Sequence, residues 1–189
     1  MKKKSYLFST QAVHAGEAEK LPIGAVAKPI YQTSTFVFES TEKVKEFQQG
    51  APNLYLYTRY GNPTIKAAEE KIAQLESGEA GLVLTSGMAA ISTTILTLCS
   101  TGDKIIATRN LYGGTHHLFV DILPRLGIQV NYVDTETLEP YAKFLDKKTK
   151  AFYIETPTNP NLKIVDIKKV VSLARKNKLT TVIDNTFAT

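Results

Sequence analysis

Two hydrophobic rhythms alternate along most of this chain. In Pro63–Leu75, the apolar positions Ile65, Ala68, Ile72 and Leu75 fall on one helical face, with Gly78 as the expected stop. Short β-rich apolar runs at 81–85, 104–107, 128–133, 151–155 and 180–184 then read as strands. Helical patterns fill the intervals, over about 88–98, 115–126, 138–145 and 166–176. Strands alternating with helices of roughly ten residues are βαβ units. The expected fold class is therefore α/β, a mostly parallel sheet with helices on both faces.

The first stretch lacks this rhythm. It carries Gly16, Pro22, Gly24, Pro29 and Pro52, a β-rich patch from Tyr31 to Phe38, and one short helix from Thr41 to Gln48 capped by Ser40 or Thr41. Residues 1–53 are expected to be an extended N-terminal arm contacting a neighbouring subunit, and residues 54–189 an incomplete ligand-binding α/β domain.

Composition changes this picture little. Hydrophobic residues make up 43% of 189 and charged residues 22%, which is globular. Lys2, Lys3 and Lys4 supply three of the net +5 charges from a tail, and the rest are scattered beside acids, so no nucleic-acid surface is expected. Cys99 is the single cysteine, which excludes an intrachain disulfide and a thiolate cluster. No apolar run reaches membrane-span length, and the basic start is followed by polar residues, so a cytoplasmic protein without membrane contact is expected. His14, His116 and His117 are the only histidines; adjacent helical residues point about 100° apart, so no metal site is expected.

The chemistry lies at strand ends. Ser86-Gly87-Met88 sits where a strand turns into a helix, and helix-start N–H groups favour an anion there. Neither a Walker loop nor a dinucleotide fingerprint is present. Tyr112-Gly113-Gly114-Thr115 holds the same kind of position one strand later, where a tyrosine can lie against an aromatic ligand or simply make a turn. Arg59 suits bidentate phosphate binding, and Tyr57 points with it if the segment is extended. Asp184, ending the last strand, can pair with a protonated ring nitrogen or cap a helix. Glu155-Thr156-Pro157-Thr158-Asn159-Pro160 reaches the same sheet edge, and Asn159 can offer its amide to ligand oxygens.

Seven motifs, in order, resemble the cysteine/methionine-metabolism family of pyridoxal-phosphate enzymes, which includes cystathionine γ-synthase, cystathionine lyases, methionine γ-lyase and O-acylhomoserine sulfhydrylase. They are Val13-His14-Ala15-Gly16, Pro29-Ile30-Tyr31-Gln32-Thr33-Ser34, Tyr57-x-Arg59 with Gly61-Asn62-Pro63-Thr64, Thr85-Ser86-Gly87-Met88-Ala89, Tyr112-Gly113-Gly114-Thr115, Glu155-x-Pro157-x-Asn159-Pro160, and Asp184-Asn185-Thr186-Phe187.

The resemblance implies pyridoxal 5'-phosphate as cofactor. Gly87 and Met88 would hold its phosphate by backbone N–H groups, and Tyr57 and Arg59 would reach the phosphate of a neighbouring subunit, making a dimer the minimum active unit and a tetramer the expected assembly. Tyr112 would stack on the pyridine ring and act catalytically in proton transfer or leaving-group departure. Asp184 would keep the ring nitrogen protonated, and Asn159 would position oxygens. The family's Schiff-base lysine lies in a Ser-x-Thr-Lys segment beyond the Asp-Asn-Thr strand, and the sequence stops before it, so the chain resembles the N-terminal part of such an enzyme.

The implied substrate is a sulfur amino acid or an acylated homoserine. Cγ–S elimination on cystathionine or methionine is favoured over γ-replacement, although methionine γ-lyases of this family commonly carry a cysteine where this chain has Gly114. A non-catalytic truncated subunit assembling with full-length chains, or a regulatory nucleotide-binding domain using Ser86-Gly87 as a generic phosphate cradle, would show the same strand-and-helix rhythm.

Overall fold

A computed structural model describes residues 6–17 and 21–188; the lysine-rich tail at Lys2, Lys3 and Lys4 lies outside them. Contacts group the chain into two compact units, one ending at Val83 and one beginning at Leu84.

In the first unit, α1 (Phe8–His14), α2 (Thr41–Gln48) and α3 (Pro63–Leu75) are joined by irregular segments. Ser40 caps α2 by accepting from Lys43 N–H at 3.4 Å. Asn62, nearly fully buried, caps α3 by accepting from Thr64 N–H at 2.8 Å, and Pro63 occupies the first turn, where a missing N–H costs nothing. The sequence pattern did not predict α1, which is only 7 residues long. It packs against α3, and Lys71 Nζ donates to Val13 O at 2.9 Å. Gly16 makes that approach possible: its φ is +75°, and a Cβ there would lie 2.2 Å from Ala67 O. The helix stop also differs from expectation. Ser77 takes the left-handed turn (φ 53°), and Gly78 N–H returns to Ala73 O at 2.7 Å. The β-rich patch from Tyr31 to Phe38 forms one antiparallel rung, Thr35 opposite Tyr57.

The second unit holds a four-stranded parallel sheet in the order β2-β1-β3-β4: β1 (Lys104–Thr108), β2 (Gln129–Val133), β3 (Thr149–Glu155) and β4 (Thr180–Asp184). Alternate residues feed two cores, as a sheet covered on both faces requires. Ile105, Ala107, Ala151 and Tyr153 pack with Ile95 of α4 (Gly87–Leu98) and with Leu118, Phe119 and Leu123. Ile106, Phe152 and Ile154 pack with Val170 and Ala174 of α6 (Ile167–Lys176) on the other face. Asp166 caps α6, accepting from Lys169 N–H at 3.0 Å.

Two expected helices are modified by proline. The one predicted over 115–126 starts as α5 (Gly113–His117), widens into a π turn (Leu118–Ile122) and tightens into a 3₁₀ turn (Leu123–Leu126). Pro124 has no N–H to give and crowds the carbonyl of Val120, so the regular ladder cannot pass it. Similarly, after Pro140 the expected helix over 138–145 is reduced to a 3₁₀ turn, Tyr141–Phe144. The segment 81–85, expected as a strand, pairs with no strand among the described residues, and Leu82 is exposed. Apolar composition marks a segment suited to a sheet; only ladder partners make it a strand.

Candidate active site

The parallel sheet brings its C-terminal strand ends to one edge, where open α/β sheets carry their ligand sites. A cleft of about 350 Å³ lies there. Five of the residues expected at a site line it: Gly87, Met88, Tyr112, Asn159 and Asp184. Ser86, Glu155, Pro157 and Thr186 line it as well.

One wall is the start of α4. Ser86 Oγ accepts from Ala89 N–H at 3.0 Å, which fixes the first turn. The N–H groups of Gly87 and Met88 precede the helix's own ladder and carry the positive end of its dipole. A Cβ at Gly87 would meet nothing within 4 Å, so the backbone is open to close approach there. The strand ends add two carboxylates to the cleft lining. Glu155 and Asp184 are Cα partners on neighbouring strands, and neither forms an ion pair among the described residues.

The two carboxylates are held differently. Glu155 is buried and accepts from Tyr112 N–H at 2.6 Å and from Asn159 N–H at 2.8 Å. It therefore ties the turn bearing Tyr112 to the loop bearing Asn159. That loop is stiffened by buried threonine hydroxyls: Thr158 Oγ1 accepts from Lys163 N–H at 3.0 Å, and Thr156 Oγ1 from Val165 N–H at 3.1 Å. Asp184 is only partly buried. Its Oδ1 accepts from Thr186 Oγ1 at 2.6 Å and Thr186 N–H at 3.2 Å, and its Oδ2 from the Tyr153 hydroxyl at 3.3 Å. Tyr153 is fully buried, and burial first, then the Asp184 charge, push its phenol far above the usual tyrosine range.

Tyr112 is half-exposed, and its ring lies over Gly114. A Cβ at Gly114 would stand 2.7 Å from Tyr112 Cε1 and 3.0 Å from Met88 Sδ, so the glycine sets how closely ring and thioether approach the turn.

Tyr57 and Arg59 belong to the first unit, where the Arg59 guanidinium lies over two rings, 5.0 Å from the Tyr57 centroid and 5.9 Å from that of Tyr60. Arg59 also lines a groove of about 480 Å³ within that unit, together with Tyr55, Lys66 and Glu69. Among the described residues no group of three His, Cys, Asp or Glu side chains comes together as a metal centre, and no helix is long and apolar enough to cross a membrane.

Sequence reasoning missed the parts played by Glu155, Tyr153 and Thr186. Glu155 stood inside a noted motif, but its two acceptor contacts come from segments 43 and 4 residues away and have no local signal. Tyr153 reads in sequence as one more apolar strand residue.

Comparison with known proteins agrees with this geometry. The family model described as "Cys/Met metabolism PLP-dependent enzyme" matches residues 9–189. The L-methionine gamma-lyase of Fusobacterium nucleatum subsp. polymorphum is 47% identical over 190 residues, covering 100% of this chain and 48% of that protein. The cystathionine gamma-lyase of Bacillus subtilis (strain 168) is 42% identical over 189 residues, covering 100% of this chain and 46% of that protein. The crystal structure of cystathionine gamma-lyase from Lactobacillus plantarum complexed with L-serine superposes with a TM-score of 0.85 at 41% identity, over 97% of this chain and 46% of that one. The chain thus spans about half the length of the curated relatives it matches. With the family model matched over residues 9–189, the chain belongs to the Cys/Met metabolism PLP-dependent enzyme family.

Proposed function

We propose that the protein acts in a pyridoxal-phosphate enzyme of sulfur amino acid metabolism, eliminating the Cγ substituent of cystathionine or methionine. One observation carries the reading: a helix start suited to an anion and a strand-end carboxylate suited to a cation line the same cleft. A ligand with a phosphate at one end and a protonatable ring nitrogen at the other matches that polarity. The paired carboxylates Glu155 and Asp184 make the strand-end lining acidic, which also favours a protonated ring.

Bound pyridoxal phosphate supplies an electron sink that makes the substrate α-proton acidic. Gly87 and Met88 would offer backbone N–H groups to the phosphate, and Asp184 would hold the proton on the ring nitrogen. Asn159 would present its side-chain amide to ligand oxygens. Tyr112 would cover the ring, and its hydroxyl would pass a proton to the departing sulfur. Elimination is favoured over replacement because relatives sharing 47% and 42% identity are named as γ-lyases.

Tyr57 and Arg59 complete this reading by serving the phosphate of a neighbouring subunit, which requires at least a dimer and fits a tetramer. Residues 1–53 then act as an arm on that neighbour, in keeping with the exposure of Ile23, Val26, Ile30 and Val37.

The test is to measure bound cofactor by absorbance and keto acid release from cystathionine and methionine. Asp184→Ala is expected to retain cofactor and lose turnover. Arg59→Ala is expected to weaken cofactor binding about 10- to 100-fold, the loss of a charge-assisted contact. Equal cofactor affinity in wild type and Arg59→Ala would overturn the phosphate role, and no cofactor uptake by the wild type would overturn the reading itself.

A further inference from the structure

We propose that Tyr153 is a positioning residue that fixes the plane of the Asp184 carboxylate by holding Oδ2 from within the core. The proposal builds on the pyridoxal phosphate reading of the cleft, since a fixed Asp184 matters only if that carboxylate must meet a ligand atom. Thr186 holds Oδ1 alone, at 2.6 Å from its hydroxyl and 3.2 Å from its N–H. A carboxylate held at one oxygen still swings about its Cβ–Cγ bond. The Tyr153 hydroxyl at 3.3 Å adds a hold on the other oxygen.

The two holds differ in rigidity. Thr186 is exposed and follows the end of β4, whereas Tyr153 is fully buried in the interior of β3. Its ring packs edge-to-face on Phe119, with centroids 5.0 Å apart and planes at 76°, so the phenol has no room to turn away. Burial and the neighbouring carboxylate charge keep the phenol protonated, so the hydroxyl remains a donor. A carboxylate offers about four lone-pair sites. Among the described residues, three hydrogen bonds reach the Asp184 carboxylate: two on Oδ1 and one on Oδ2. The remaining acceptor site therefore belongs to Oδ2, the oxygen that Tyr153 orients. Asp184 itself lines the cleft.

Tyr153→Phe removes one oxygen and keeps the packed ring; because that oxygen also faces the buried Thr115 hydroxyl, the D184N background separates the Asp184 bond from the Thr115 contact. Pyridoxal phosphate is titrated into the purified wild type and Y153F, and the visible circular dichroism of the bound cofactor is recorded with steady-state rates. Y153F is expected to bind the cofactor within about threefold of wild type. Its dichroic band should fall by about half or more, and kcat about tenfold with KM little changed, the pattern of lost orientation. In a D184N background, Y153F should produce no further change in the dichroic band, because the residue acts through Asp184.

An unchanged band and kcat in Y153F would overturn the proposal. So would an equal loss of the band in the D184N background, which would make Tyr153 a packing residue only. Absence of pyridoxal phosphate uptake by the wild type would instead strike down the cofactor reading, and this inference with it.

Discussion

Replacing Glu155 with glutamine tests how the cleft is built. The carboxylate is buried and accepts from two backbone N–H groups, those of Tyr112 at 2.6 Å and Asn159 at 2.8 Å. Hydrogen bonds to a charged acceptor contribute about 1.5–3 kcal/mol each. Glutamine keeps the shape, so no cavity forms, but it has one oxygen. One N–H keeps a neutral acceptor worth about 0.5–1.5 kcal/mol, while the other faces an NH₂ group and is left unsatisfied at about 1–3 kcal/mol. Relief of carboxylate burial offsets part of the loss. The expected net destabilisation is about 1–3 kcal/mol, read from urea unfolding by circular dichroism at neutral pH. Turnover should fall further than stability suggests, because the turn carrying Tyr112 and the loop carrying Asn159 lose their shared tie. Stability within about 0.5 kcal/mol of wild type, with unchanged turnover, would refute the idea that this carboxylate organises the cleft.

Two further substitutions probe separate links. Asn62→Ala should cost about 2–4 kcal/mol in the same unfolding assay, because the buried side chain caps α3 and also donates to Tyr31 O at 2.9 Å; Asn62→Ser, which keeps a cap acceptor without burying a charge, should cost less. Gly114→Ala should leave the melting temperature nearly unchanged while shifting the ratio of turnover on methionine to that on cystathionine about threefold or more: its Cβ, 2.7 Å from Tyr112 Cε1, displaces a half-exposed ring that can move cheaply but not without leaving its place.

Much of the fold was legible because it is written in local chemistry. The cap at Ser40, the helix start at Pro63 and the double-faced burial of β1 and β3 each leave a signature within a few residues. The site was legible in part for the same reason: a Ser-Gly helix start and a strand-end aspartate are sequence-local features. The two proline-modified helices show where local reasoning stops short: the apolar period around Pro124 and Pro140 predicts regular helices, which the missing N–H of each proline interrupts. Other features were not local at all. Helix α1 exists by packing on α3, which a seven-residue pattern cannot announce. The strand expected over 81–85 lacks ladder partners among the described residues, a property of neighbours rather than composition.

The two cleft carboxylates show how one sheet edge yields two different tools. Parallel register places Glu155 and Asp184 side by side, so strand geometry alone treats them alike. Their neighbours separate them. The buried Glu155 meets two backbone N–H groups, which cannot be withdrawn without moving the chain, so its charge serves to fix loops. Asp184 lies one strand further out, on the outermost of the four described strands, and is only partly buried. Two side-chain hydroxyls, from Tyr153 and Thr186, and a single N–H orient it there without enclosing it. A carboxylate that must receive a ligand needs the second arrangement, and one that must hold the walls still needs the first. The proposed assignment of Asp184 to the ligand and Glu155 to the frame rests on which donors the fold delivers to each, although both residues end a strand and both carry a carboxyl group.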